Sequence, residues 1–566
     1  MGKRDLSYLV IIVILGFVLR FAFLTYSPPS LNWDEISHGY NAYSILKTGM
    51  DQWGQRLPIF NFRAYGDYPT TLNLYLTIPF IIIFGLTDFA IRFPHALFGT
   101  LTIISVYFLA WGVTKRKEVS LFSAFLAATG PWYLFPSRFV IQSNLAVFFL
   151  ITSAALFVNR KINKVFLPMS ILSLFLTLFS YHTTRIVSPL ILFGALFIYR
   201  TDFANFFKKK RLLAVILAAT IVIFFALSTV ILRNPESTAR SGVLSILDQG
   251  AISKIEAERA AARLPGIISR LVYNRPVYFV EVFAKNYIRY LSPQFLFLQG
   301  GTQFQFSIPN FGLIYLVNLP LFYLGSAILL FKLLKRGGDK ESRNNYKFIL
   351  LWLIVAPIPA SITNESFAVI RATTMLPIPE ILIAVAAYTI LDRVKKNYIP
   401  ILLVFYFSMF YLSFEGYLLN YFTQYRTNYS WSWQYGYKEV VAYAKSHYSD
   451  YNRIIVTKKY GEPHEYFLFF WPWNPAQYQD DPNKITFFQS DWYWVDRFDK
   501  FYFVNDWQIP KSGYDFVLES KGTLNCLPVA SRCLLITSPG DYPKGWKKLD
   551  TINFLNGSPA FEIYEN

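Results

Sequence analysis

The acidic pair Asp34-Glu35, set in Leu31-Asn32-Trp33-Asp34-Glu35, is the strongest candidate for chemistry in this 566-residue chain. It follows a single apolar span, 6–25, whose N-terminal flank carries Lys3 and Arg4. Cationic flanks stay cytoplasmic, so the pair is expected on the outer face of a membrane. A carboxylate held against a bilayer is a costly structural choice and a good general base. The stretch before it is too long for a signal peptide and lacks a small-x-small cleavage site, which predicts an uncleaved anchor.

The elements that must position this pair follow from composition. With 54% apolar and 19% aromatic residues, the chain is not an ordinary soluble domain. Its net charge of +19 would suggest nucleic acid in a soluble protein. Here the basic residues cluster between apolar runs, which points to membrane orientation and to no nucleic-acid partner. Placing those clusters inside gives eleven spans, at 6–25, 91–113, 119–136, 139–158, 165–181, 184–200, 212–232, 311–334, 348–362, 374–391 and 398–416. The inner loops then hold Lys115-Arg116-Lys117, Arg160-Lys161, the run 208–211, Lys335-Arg336 with Lys340, and Arg393 with Lys395-Lys396. Counting the apolar run 71–86 as a span would put Lys115 outside, so that run is expected to be re-entrant or juxtamembrane. An odd count sends the C-terminus outside.

The expected fold is an all-α polytopic domain over 1–423, with outer loops 26–90 and 233–310, followed by an extracytoplasmic α/β domain over 424–566. Strand-like runs at 453–457, 501–504, 514–518, 533–537 and 561–564, and a helix near 438–446, support the second part. Its two cysteines, Cys526 and Cys533, suit a disulfide in an oxidising compartment, and two cysteines alone make no metal site.

With this topology polar residues collect on the outer side. His38, Tyr40 and Asn41 follow the acidic pair; Arg63, Asp67, Tyr68 and Pro69 come next; then Ser137-Arg138, Gln142 and Asn144; then Tyr181-His182 and Arg185; then Glu365 and Arg371. Each alone reads as an interfacial anchor or a snorkelling side chain. Convergence of five loops favours a site. Glu380, inside the tenth span, is expected to find Arg371 or a water-filled cavity as its partner. The loop 233–309 is basic, with Arg240, Arg259, Arg263, Arg270, Arg275, Lys285 and Arg289 over two expected helices, 251–264 and 267–291. Adhesion to lipid head groups accounts for most of these; the sharper reading is that one or two hold a substrate phosphate. No Gly-rich phosphate loop, Ser-His-Asp order, HExxH or Cys/His metal spacing occurs. No cofactor follows from the sequence, which leaves a divalent metal open. Nucleotide sugars are cytoplasmic, so an outward site needs an activated donor already carried across, for which a polyprenyl phosphate is the natural handle.

Trp33-Asp34-Glu35, then Asp67-Tyr68-Pro69, Ala90-Ile91-Arg92-Phe93-Pro94, and Gly130-Pro131-Trp132 with Ser137-Arg138 resemble the GT-C glycosyltransferases. Protein O-mannosyltransferases and the lipid A aminoarabinose transferases are the nearest likenesses, over roughly residues 1–420. The resemblance implies Asp34 as catalytic base with Glu35 supporting it. It also implies a polyprenyl-phosphate-linked sugar donor and a cell-membrane location with the site facing outward. Two departures stand out: Tyr68-Pro69-Thr70 replaces the Lys-Pro-Pro of aminoarabinose transferases, and Gln142 stands where relatives often have an acid. The donor phosphate is therefore assigned to Arg138 and Arg185 beside Tyr68. His38, Asp67, Gln142, His182 and Arg371 are assigned to substrate binding. The expected partners are the donor, a protein, glycan or lipid acceptor, and membrane lipids. Trp431, Trp433, Trp471 and Trp473 could stack on sugar rings, with packing as the bland alternative. The rival class is a transporter or flippase of a lipid-linked glycan, which would call for two related halves and midplane charges; no such repeat is visible.

Overall fold

Every apolar run expected to span contains a helix, the conformation that satisfies its own backbone hydrogen bonds without water, although the runs 119–136, 139–158, 311–334 and 348–362 are helical only in part. The helices are Lys3–Phe21, Asp88–Thr114, Lys117–Thr129, Gln142–Val158, Phe166–Leu178, Thr184–Ile198, Arg211–Arg233, Leu319–Leu334, Lys340–Val355, Ile378–Arg393 and Ile399–Asn420. The computed structural model describes all residues except 1, 210, 237–244, 336–338, 491 and 528–530, so Arg240 and Arg336 lie outside the described residues, as do the side chains of 205–214. Among the described residues four helices are long and apolar enough to cross a bilayer unaided: Asp88–Thr114, Val215–Arg233, Leu316–Leu334 and Lys396–Asn428. A fifth is reached if Val369–Met375 and Ile378–Arg393, bent by 50°, count as one. The shortest of the others, Lys117–Thr129 and Phe166–Leu178, have 13 residues each and extend about 20 Å, against about 30 Å of hydrocarbon.

The chain divides into two compact units. The first comprises Met1–Ala22, His95–Ser137 and Ile141–Leu418. Within it Arg20 is buried, donating to the carbonyls of Ala127 and Ala128 at 2.9 and 3.0 Å, where a helix end offers unmet acceptors. Glu380 is also buried, and its partner is the Tyr133 hydroxyl at 3.0 Å. Arg371, the expected counter-ion, is bound instead by Glu365 at 2.8 Å. In the basic loop the expected helix 267–291 is broken into Gly266–Val272 and Arg275–Tyr290. Asn274 stops the first and caps the second, accepting from Val277 N at 2.9 Å, with Pro276 in the new first turn.

The second unit comprises Phe23–Pro94, Arg138–Val140 and Leu419–Asn566, so the first loop folds together with the C-terminal residues. Its strands are β1 (Arg453–Thr457), β2 (Ile485–Gln489), β3 (Trp492–Phe498), β4 (Phe501–Val504), β5 (Asp515–Val517), β6 (Thr523–Asn525), β7 (Cys533–Thr537), β8 (Lys547–Asn553) and β9 (Pro559–Glu565). Seven of them form one sheet in the order β2-β3-β4-β1-β7-β9-β8, with β1 parallel to β4 and β7, and β5 pairs with β6. β1, β4 and β7 are near-continuous apolar runs because they are covered on both faces. One side packs against a core that includes Ile36, Tyr40 and Ile45 of the helix Trp33–Thr48, together with Val440 and Phe467. The other packs on Phe516 and Leu524 of the β5–β6 pair, closed by the Cys526–Cys533 disulfide. Of the four candidate sugar-stacking tryptophans, Trp433 is fully buried and Trp471 and Trp473 pack against the core, which is the bland alternative. Trp431 remains exposed.

Candidate active site

The acidic pair opens the helix Trp33–Thr48, and the local sequence explains why a helix starts there. Asn32 is the cap: its side chain accepts from Glu35 N at 2.9 Å, and the Glu35 carboxylate accepts in return from Asn32 N at 3.2 Å. Both carboxylates thus lie in the first turn, where the helix end favours negative charge. From this shared start they diverge.

Glu35 points inward. It is 0% exposed and makes a two-pronged pair with Arg92, itself 1% exposed, with Nε to Oε1 and Nη2 to Oε2 both at 2.9 Å. Val140 N donates to the same carboxylate at 2.9 Å. Arg92 donates further to the carbonyls of Leu24 and Pro28 at 3.1 Å and of Ser30 at 2.6 Å. The pair therefore fastens the 24–30 segment, the start of the helix and the 138–140 segment together. Asp34 is half-buried. The Tyr65 hydroxyl donates to its Oδ1. Arg92 lies in Ala90-Ile91-Arg92-Phe93-Pro94, where an arginine inside an apolar stretch is a signal. Nothing in the sequence singled out Tyr65.

In the same unit Tyr68 and Asp67 form a turn, with Tyr68 N donating to Asp67 Oδ1 at 2.9 Å. Arg63 stacks over the Tyr493 ring at 4.3 Å. Arg138 is fully buried: Nε donates to the Tyr421 hydroxyl at 3.2 Å, and Nη2 to the carbonyls of Phe23 and Ser27 at 2.9 and 3.1 Å. His38 is buried one turn along the helix from Asp34, with Nε2 3.2 Å from Thr77 Oγ1. Burial lowers its pKa to about 3.

The first unit holds the remaining candidates. Arg185 is buried; Nε donates to the Leu178 carbonyl at 3.0 Å and Nη1 to His182 Nδ1 at 3.1 Å. Gln142 is half-buried at the first position of its helix. Arg371 and Glu365 form their own pair. Among the described residues no group of three His, Cys, Asp or Glu side chains is arranged to hold a metal ion.

The burial of His38 has a measurable consequence. Its folded pKa lies below the unfolded value of 6.5, so folding favours the neutral ring. The stability this contributes is fully present above pH 6.5 and is lost as pH falls toward 3. By pH 4.5 the loss should be about 2–3 kcal/mol. Thermal unfolding of wild type and His38→Gln between pH 7.5 and 4.5 checks this. Equal acid sensitivity in the two proteins would show that His38 is not the responsible group.

The solved structures with likeness to this chain include an archaeal oligosaccharyltransferase from Archaeoglobus fulgidus, AglB, at 15% identity and a TM-score of 0.49, covering 83% of this chain and 63% of that one. This chain thus spans less than two thirds of that protein's length. ArnT from Cupriavidus metallidurans is 11% identical with a TM-score of 0.42, covering 99% of this chain and 97% of that one. The S. cerevisiae protein O-mannosyltransferase complex Pmt1-Pmt2 is 19% identical with a TM-score of 0.30, over 40% and 34%. No curated protein sequence matches the chain. Residues 10–240, which contain Asp34, Glu35, Tyr68, Arg92, Arg138 and Arg185, match the family model described as dolichyl-phosphate-mannose-protein mannosyltransferase, and the resemblance to this class of GT-C glycosyltransferases holds over that stretch.

Proposed function

We propose that the chain is a membrane glycosyltransferase that moves a sugar from a polyprenyl-phosphate donor to an acceptor hydroxyl on the outer face of a membrane. The observation that carries this reading is the half-buried Asp34 carboxylate at a helix start, aimed by a tyrosine hydroxyl, inside the stretch that matches the mannosyltransferase family. Asp34 takes the proton from the acceptor hydroxyl as its oxygen attacks the anomeric carbon. The bond from that carbon to the lipid phosphate breaks, and the phosphate leaves with the electron pair. One displacement inverts the anomeric centre, and no nucleophilic carboxylate is needed. The family's description makes dolichyl-phosphate mannose the first donor to test and a protein hydroxyl the first acceptor.

The orientation belongs to the same proposal: eleven spans, with Asp34 and the C-terminal sheet extracytoplasmic. The basic inner loops support it, as does the Cys526–Cys533 disulfide, which suits an oxidising compartment. Labelling of a cysteine at position 116 by an impermeant reagent from outside intact cells would reverse it.

The donor phosphate needs cations, and Arg185 is the choice to test. Like Arg138, it is buried and already has protein partners, so thermal unfolding of the variant accompanies the assay. Arg185→Ala should weaken donor binding and slow transfer, because the leaving phosphate gains charge as the bond breaks. The expected cost is about 2–4 kcal/mol, or roughly 30- to 1000-fold in kcat/KM. Lysine should restore only part, having charge but no planar fork. The assay follows release of polyprenyl phosphate from purified donor. No release with any polyprenyl-phosphate sugar would defeat the functional reading. An unchanged kcat/KM for Arg185→Ala and for Arg138→Ala alike would move the phosphate site to the basic loop.

A further inference from the structure

The side chains around Asp34 come from the C-terminal residues as well as from the first loop. Tyr65, whose hydroxyl reaches Asp34, is buried. Its ring stacks on Trp492 of β3, with centroids 4.9 Å apart and planes 24° from parallel. Its carbonyl accepts from Tyr493 N at 2.6 Å. Trp492 is held in turn: its indole N–H donates to Glu462 Oε1, and the other oxygen of that buried carboxylate lies 3.3 Å from His464 Nδ1. The Tyr65 ring thus has little freedom, and its hydroxyl is aimed by the sheet.

A second contact acts on the same turn. Trp33, immediately before Asp34, lies against Gly461 in the turn after β1. A Cβ at that position would come within 1.9 Å of the indole, and the glycine has φ +117°. Only a residue without a side chain lets the indole settle there. The helix start that carries Asp34 is therefore gripped by the C-terminal sheet at Trp33 and at Tyr65.

We propose that Tyr65 is the positioning residue for the Asp34 carboxylate, and that Trp492 of β3 and Glu462, at the start of the helix Pro463–Phe470, hold it in place. The C-terminal residues are then a working part of the transfer site. This rests on Asp34 being the base. A carboxylate on the first turn of a helix has several staggered rotamers, and a fixed donor selects among them. Loss of the donor lets the base wander, and misplacement on the scale of an ångström costs about 100-fold in favourable cases.

The test compares Tyr65→Phe, Trp492→Phe and Asp34→Asn in the full-length protein, measuring kcat and donor KM for release of polyprenyl phosphate. Tyr65→Phe keeps the stacked ring and removes only the hydroxyl. It should lower kcat by about 10- to 100-fold, with donor KM changed less than about threefold. Trp492→Phe keeps an aromatic face but loses the anchor on Glu462, so a smaller fall in kcat is expected, again with KM held. If Asp34→Asn is inactive while Tyr65→Phe keeps wild-type kcat, the positioning role is refuted and the base assignment stands. If Asp34→Asn is active, the base assignment fails and this inference with it. Parallel losses in kcat, KM and melting temperature would mark Tyr65 as merely structural and overturn the proposal. Should Tyr65→Phe fail to fold, Trp492→Phe decides: wild-type kcat there overturns it.

Discussion

Asp34→Asn should abolish sugar transfer while leaving the protein folded. The amide has nearly the shape of the carboxylate and keeps an oxygen for the Tyr65 hydroxyl to bond, so the turn and the stack on Trp492 persist. What disappears is the ability to accept a proton from the attacking hydroxyl. A positioned base contributes roughly 10²- to 10⁴-fold, and turnover should fall by that factor. The fold should lose no more than about 1–2 kcal/mol, the difference between a hydrogen bond to a charged and to a neutral acceptor at a half-exposed position. Release of polyprenyl phosphate and thermal unfolding, measured on one purified sample, separate the two effects. Near-normal turnover in a well-folded variant would remove Asp34 from the base role.

The asymmetry between Asp34 and Glu35 was not legible in the sequence. Adjacent acids on a helix start look alike, and which one turns inward depends on what lies opposite. That partner, Arg92, is 57 residues away along the chain. The pattern of apolar runs did locate helices, although among the described residues only four are long and apolar enough to cross a bilayer unaided. It also located the central strands β1, β4 and β7, whose continuous apolar runs mark them as buried. The edge strands β2 and β8 escaped notice: Ile485–Gln489 and Lys547–Asn553 are short, mixed in polarity, and partly exposed. The same blindness hid Trp492 and Glu462. Their value comes from the Tyr65 ring between them and Asp34, a contact across more than four hundred residues that no local spacing announces. His38 shows how little sequence spacing says of a side chain's surroundings. A histidine beside an acidic pair reads as a site residue, yet the helix turns it toward Thr77 and Asn73.

Glu35→Ala should cost stability where Asp34→Asn costs activity. Removing the carboxylate leaves the Arg92 guanidinium 1% exposed, with three main-chain carbonyls but no counter-charge. Breaking a buried pair from one side typically costs about 3–5 kcal/mol, because a charge must stay dehydrated without its partner. Val140 N would lose its acceptor as well, and Asn32 its half of the reciprocal cap. For a folded state held by only about 5–15 kcal/mol, that is enough to depress yield and melting temperature sharply. Glu35→Gln should lie between, keeping the shape and part of the hydrogen bonding. A double change, Glu35→Gln with Arg92→Met, removes both charges and should recover some of the loss seen with Glu35→Ala, since a missing pair costs less than a broken one. Thermal unfolding of wild type, Glu35→Gln, Arg92→Met and the double variant measures the coupling, with Glu35→Ala alongside. If Glu35→Ala melted with wild type and still lost turnover, Glu35 would belong to the chemistry and the pair with Arg92 would be incidental to the fold. The structure favours the other outcome, because both carboxylate oxygens of Glu35 already accept from Arg92, Val140 and Asn32 at 2.9–3.2 Å.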